Sequence, residues 1–363
     1  MRSALLLVGS LVVVACGDDG GGGKAVDAPI GGMDDNTDDG MLPDGNPLTP
    51  DTLAGTGLCL DAGCTQFAAD AKEYVPQYEL WADGATKRRW ITLPPGAKID
   101  TSDMNYWKFP IGTKIWKEFT RDGVRVETRY MVKLADELEP APAVSWYFVS
   151  YQWNSAQDDT VAVTQGAQNA NGTQHDIPAR ALCRQCHNNS KGPDRDRGRV
   201  LGFGAMSLDW EAPAGMLDLG DLVAGDLLTA PPNAPVPGTY FPLPGTATDK
   251  AAFGYLHANC GHCHNPSSDV STNGIAVSVQ LNTTMLATTT GTPTYASTVD
   301  VMATKTLADN TTGKIIKPND APNSIMIRRM NSFAGGDHMP ASGSELVDPT
   351  GQTVLVNWIN SLP

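Results

Sequence analysis

Along residues 125–134, RVETRYMVKL, apolar and polar positions alternate, and along 144–154, VSWYFVSYQWN, the chain is almost wholly apolar. Both stretches are rich in β-branched and aromatic residues, and both predict β-strands. Shorter strands broken by Pro and Gly are expected in KRRWITLPPGAKI (87–99) and YWKFPIGTKIWKEF (106–119). Helical periodicity is scarce before residue 165, so a β-rich, sandwich-like domain is predicted over residues 53–175. The period changes near the C-terminus. In AAFGYLHANC, Phe253, Leu256 and Cys260 recur at helical spacing, and Val354, Leu355, Trp358 and Ile359 predict a terminal amphipathic helix. The expected fold class is therefore α+β and multidomain, with the β-rich part first and mainly α-helical modules after it.

The N-terminus carries a different signal. Arg2 precedes an apolar run, Ala4 to Val14, too short to span a bilayer but fitting the core of a signal peptide over residues 1–15. The run ends in VVAC, which resembles the lipobox of bacterial lipoproteins. That resemblance implies cleavage before Cys16, acylation of Cys16, and anchorage to a bacterial membrane, the outer membrane facing the periplasm or cell surface. Residues 16–52 are dominated by Asp and Gly and lack any apolar period, so they predict a disordered tether. The chain's net charge of −14 argues against nucleic acid as a partner and against charge-driven binding to anionic lipid. Membrane association is expected only through the lipid.

Export changes how cysteines behave, because disulfides persist outside the cytoplasm. Cys59 and Cys64, in the short stretch CLDAGC, are expected to form one; unpaired thiols or metal ligands are the alternatives. Four more cysteines lie in CRQCH (183–187) and CGHCH (260–264). A zinc site needs four ligands, with CxxC halves usually about 15–20 residues apart. Cys186 and Cys260 are much further apart, and two independent sites would each lack a fourth ligand. A redox dithiol has no use for the following His. Covalent haem attachment needs all three residues: two thiols to add across the porphyrin vinyl groups, and the adjacent His to ligate iron. Two covalently bound haem c groups are expected, held by Cys183, Cys186 and His187 and by Cys260, Cys263 and His264.

The distal ligands read differently at the two sites. GGDHMP (335–340) places Met339 as the expected sixth ligand of the second haem, with His338 a neighbouring competitor. For the first haem, Met206, Met216, His175 and His257 are candidates, Met206 leading, and an open position is the alternative. The basic stretch KGPDRDRGR (191–199) offers Lys191, Arg195, Arg197 and Arg199 as partners for haem propionates, or as a solvated loop paired with Asp194 and Asp196. The domain plan is thus a first haem-binding region over 176–245 and a class I cytochrome c-like domain over 246–363.

Taken in order, YELWADGATKRRWITLP, YWKFPIGTKIWKEF, VETRYMVKL, WYFVSYQWN, LCRQCH and YLHANCGHCHNP resemble a family of exported bacterial dihaem c-type cytochromes. The resemblance covers roughly residues 74–363, with a departure over 201–245, where the first haem's distal ligand would fall. It implies a β-rich N-terminal part followed by two haem sites, and supplies no substrate. The expected function is electron transfer between redox partner proteins. A dihaem peroxidase or oxidase with an open first haem, and a sensor whose β domain binds a ligand, are the alternatives. No Ser-His-Asp set, paired-carboxylate signature or phosphate loop is visible before the haem motifs.

Overall fold

The computed structural model describes residues 50–136, 145–187, 200–235 and 238–363. The signal peptide, Cys16, most of the tether, and Lys191, Arg195, Arg197 and Arg199 lie outside the described residues. Among the described residues, no helix is long and apolar enough to cross a membrane.

Six strands form one antiparallel sheet in sequence order: β1 (Lys72–Glu73), β2 (Thr86–Thr92), β3 (Lys114–Arg121), β4 (Val124–Lys133), β5 (Trp146–Trp153) and β6 (Thr160–Val163). The β3–β4 hairpin turns on Asp122 and Gly123, both at positive φ (52° and 79°). That Asp-Gly pair suits a two-residue turn whose twist matches the strands. One face carries the register row Trp90–Trp116–Tyr130–Val149. It packs against Leu53, Leu58 and Cys64 from the N-terminal loop. The Trp116 Nε1–H donates to Thr56 Oγ1 at 2.9 Å. Cys59 and Cys64 are joined by a disulfide with Cα atoms 4.8 Å apart. The opposite face carries the row Ile91–Ile115–Met131–Phe148. It is covered by Trp107 and Phe109 and by Phe203 and Leu208. Both faces are therefore buried, which accounts for the nearly continuous apolar run of β5.

Among the described residues, eight α-helices follow the strands: α1 (Cys183–His187), α2 (Ala205–Leu208), α3 (Leu219–Ala224), α4 (Ala247–Asn259), α5 (Asp269–Thr272), α6 (Pro293–Thr298), α7 (Ile325–Asn331) and α8 (Pro349–Ser361). Of these, only α4 and α8, of 13 residues each, exceed two turns. They pack together with the Phe253 and Trp358 rings edge-on, centroids 5.5 Å apart. The Trp358 Nε1–H donates to Asp249 Oδ1 at 3.0 Å.

The expected sandwich followed by mainly α-helical haem modules is corrected by this architecture. Among the described residues there is one sheet of six strands, and loops with the short helices α2 and α3, not a second sheet, cover its two faces. Downstream, the helices are short and widely spaced. The physical reason lies in side chains that compete with the helical backbone. Asn282 Oδ1 accepts from Thr284 N and Asp309 Oδ1 from Thr311 N, both at 2.9 Å, whereas Thr292 Oγ1 caps the short α6 by accepting from Tyr295 N. These local bonds fix turns where a periodic apolar face is lacking.

Candidate functional site

The first motif is a single helical turn, α1, continuing a 3₁₀ turn over Arg180–Leu182 that rests on β5. The His187 ring lies 5.3 Å from the Phe148 ring, at the sheet face. Burial pushes the Cys183 thiol up to about 11, against the opposing influence of Arg129. Arg129 is close enough to feel both Cys183 and Cys186. Beside it lies a buried network. Glu127, fully buried, accepts from Arg129 at 2.6 and 2.9 Å and lies 2.9 Å from His175 Nε2. Burial alone would raise the Glu127 carboxyl. The Arg129 charge and the hydrogen bonds from His175 and Arg129 outweigh it and hold the group at about 2.

The second motif begins where α4 ends. Cys263 N and His264 N both donate to Cys260 O, at 3.1 and 2.8 Å, closing a tight turn. Asn265 clamps that turn by donating from Nδ2 to Gly261 O and His262 O. A Cβ at Gly261 would fall 2.6 Å from His257 O and 2.9 Å from Gln280 Cα. Gly261→Ala is therefore expected to cost about 1–3 kcal/mol through forced backbone shifts. A thermal melt of the purified variant checks it; an unchanged midpoint would mean that the turn yields freely.

Burial, with a smaller contribution from Arg329, lowers His264 to about 4, so its imidazole is neutral at pH 7. Burial pushes the Cys260 thiol up to about 12. Arg329 also organises the opposite loop. Its carbonyl accepts from Met339 N at 3.2 Å, and its Nη1 donates to Asp337 O at 3.2 Å. Asp337 in turn accepts from Ala308 N at 2.9 Å. Met339 and His264 thus share one neighbour. His338 stacks on Phe333 at 3.9 Å and directs Nδ1 at Ser332 O, leaving Nε2 buried with no hydrogen-bond partner.

The sheet and the second motif are clasped together. Asn259 Oδ1 accepts from Trp81 N at 2.6 Å, and its Nδ2 donates to Glu79 O at 3.1 Å. Asp83 accepts from the backbone N–H groups of Glu345 and Leu346. The stretch YELWADGA is this docking segment. Sequence reasoning missed Asn259 and Asp83, whose partners are far away along the chain, and Asn265 and Arg329, whose nearby partners are set by turn geometry and not by any residue pattern.

The other candidate ligands are placed as follows. His175 is engaged with Glu127. His257 accepts at Nδ1 from Leu281 N at 3.1 Å. Met206 is buried in the core that holds Phe253 and Leu281. Met216 is half-buried beside Leu217, which bridges to Tyr74. Between the sheet and the second motif runs a cleft of about 120 Å³, whose walls include Arg89, Lys117, Met206, Gly261, His262 and Gln280.

Among the described residues, no group of three or more His, Cys, Asp or Glu side chains converges as a metal-ion cluster. The chain matches no protein-family model, no curated protein and no solved structure.

Proposed function

We propose that this chain is an exported, lipid-anchored dihaem c-type cytochrome that passes electrons between redox partner proteins. The observation carrying this reading is the pair of Cys-x-x-Cys-His turns, both seated around one six-stranded sheet and the second holding a buried neutral imidazole. Cys183 and Cys186, and Cys260 and Cys263, would hold the two groups as thioethers, with His187 and His264 as proximal ligands. Haem supplies a one-electron iron couple when bound. His264 stays neutral and available as a ligand because burial disfavours its charged form. Asn265 and Gly261 hold the turn that orients it. Arg329 fixes the Met339 backbone near the same site, and Met339 is the proposed distal ligand there. The lone pair of His338 Nε2 is its competitor, and ligation by His338 would give a lower-potential centre.

A second reading, a peroxidase or oxidase, is favoured by one observation at the first site. His175 is tied to Glu127 and Met206 is packed with Phe253 and Leu281, so two of the candidate distal ligands are engaged elsewhere. The test is an absorption spectrum of protein made in a host that matures c-type cytochromes, recorded oxidised, reduced, pyridine-treated and with carbon monoxide. Two covalent haems and no carbon monoxide shift support the electron carrier. Two haems with one binding carbon monoxide favour the enzyme. No covalent haem overturns the proposal.

A further inference from the structure

The buried face of the sheet carries a row of cations. Arg89 pairs with Lys117 across β2–β3, and Lys117 pairs with Arg129 across β3–β4, so the three side chains stand abreast. Lys87 lies on the same face one row along. Two carboxylates contact these four cations: Glu79, with Arg89 at 3.1 Å and Lys87 at 3.5 Å, and Glu127, with Arg129 at 2.6 Å; Asp348 acts on Lys87 from further away. Arg129 is 34% exposed and Lys117 half-buried, so the unmatched charge weighs most on the buried Arg89, where an uncompensated charge is costly. Arg89 is 3% exposed, yet its Nη1 is buried with no hydrogen-bond partner. Lys117 makes no hydrogen bond or ion pair among the described residues; its Nζ rests over the Phe119 ring at 4.8 Å. Burial, reinforced by Arg89, Arg129 and Lys87, drives the Lys117 ammonium well below its ordinary value. An anion beside it would reverse that.

The row has direction. Its Arg129 end lies beside Cys183 and Cys186. Its Arg89 and Lys117 end opens into the cleft shared with Gly261 and His262 of the second motif. Two strand spacings separate the ends, about 10 Å, which matches the span of a porphyrin from thioether edge to propionates. The cleft, at about 120 Å³, is small beside pockets for whole drug-sized ligands, which run to about 300–1,000 Å³.

We propose that Arg89 and Lys117 form a carboxylate-binding pair that receives the propionates of the haem carried by the first motif. This rests on the dihaem reading above. It assigns to the sheet the role of laying the first cofactor across β2–β4, with its propionate edge turned toward the second motif. Guanidinium and ammonium groups suit the two propionates in different ways. Arg89 offers a planar pair of donors, and Lys117 a point charge.

The test uses the full haem-loaded chain and the variants Lys117→Met, Arg89→Gln and Arg89→Lys. Methionine keeps the buried stem of Lys117 packed while removing its charge. Covalent haem is counted first by pyridine haemochrome; none in the unsubstituted protein overturns the dihaem reading and this pair with it. With two haems present, Lys117→Met and Arg89→Gln are each expected to shift a propionate bending band in the resonance Raman spectrum. Each should also lower the potential of one haem, since a nearby cation favours the reduced iron; Arg89→Lys should restore most of the loss. Unchanged bands and potentials overturn the assignment while leaving the dihaem reading intact. In that event, calorimetric titration with sodium acetate and with inorganic phosphate separates the remaining sources. Binding weakened at least tenfold by Lys117→Met would mean a site for a free anion, and no binding would mean a purely structural row.

Discussion

Replacing Cys260 and Cys263 together by alanine is expected to halve the haem that survives acid–acetone extraction, from two groups per chain to one. Thioether bonds alone resist that extraction, so the assay reads attachment rather than ligation. The double substitution removes thiols that are half-buried; Cys260 only edges the core that holds Phe253 and Trp358, and alanine takes away one small group there. The fold should therefore persist with the first haem in place. Cys183→Ala with Cys186→Ala is the reciprocal experiment and should leave the other group. Retention of both haems in either double variant would show that the motif concerned attaches nothing.

Glu127→Gln is expected to cost about 1–3 kcal/mol, less than stranding a fully buried charge, because the Arg129 side chain is 34% exposed. Arg129 would lose the carboxylate that neutralises it, beside Lys117 of the same sheet row. The same group sets an acid limit. Its folded value, about 2, lies below the ordinary 4.5 because Arg129 and His175 favour the anion more than burial opposes it. A depressed carboxylate adds stability above its unfolded value and loses it as pH falls through the folded one. That difference is worth roughly 3 kcal/mol, lost between about pH 4.5 and pH 2. Urea denaturation at pH 7 and at pH 2.5 measures both effects. The unsubstituted protein should lose most of this increment at the lower pH, and Glu127→Gln should show a flatter dependence. Parallel pH profiles would remove Glu127 from the account.

How much of this was legible in the chain follows from the range of each interaction. Strands β3 to β5 and helices α4 and α8 announce themselves through local periodicity, and they form. The sandwich did not, because alternation reports that a strand face is buried and is silent on what buries it. Here the cover is loop chain over Leu53 to Cys64 on one face, and loop plus the single-turn α2 over Val200 to Leu208 on the other. The two Cys-x-x-Cys-His patterns are readable because each is compressed into five residues. Asn259 clasping Trp81, and Glu127 reaching His175, were not, since each joins segments far apart in sequence. The row of Arg89, Lys117 and Arg129 is the sharpest instance. Each looks like an ordinary polar position in its own strand, and only the register sets the three abreast.

The sequential order of the strands also bears on how the molecule is assembled. Each strand pairs with the next one along, so no pairing skips a strand, and the longest connection to be closed is residues 93–113 between β2 and β3. Everything it needs for its own pairing has emerged by residue 163, before either Cys-x-x-Cys-His turn. A chain delivered from its N-terminus can thus build the platform first, while the four motif cysteines are still unfolded and accessible. The Asn259 clasp, which draws the second turn onto the sheet, completes the structure afterwards.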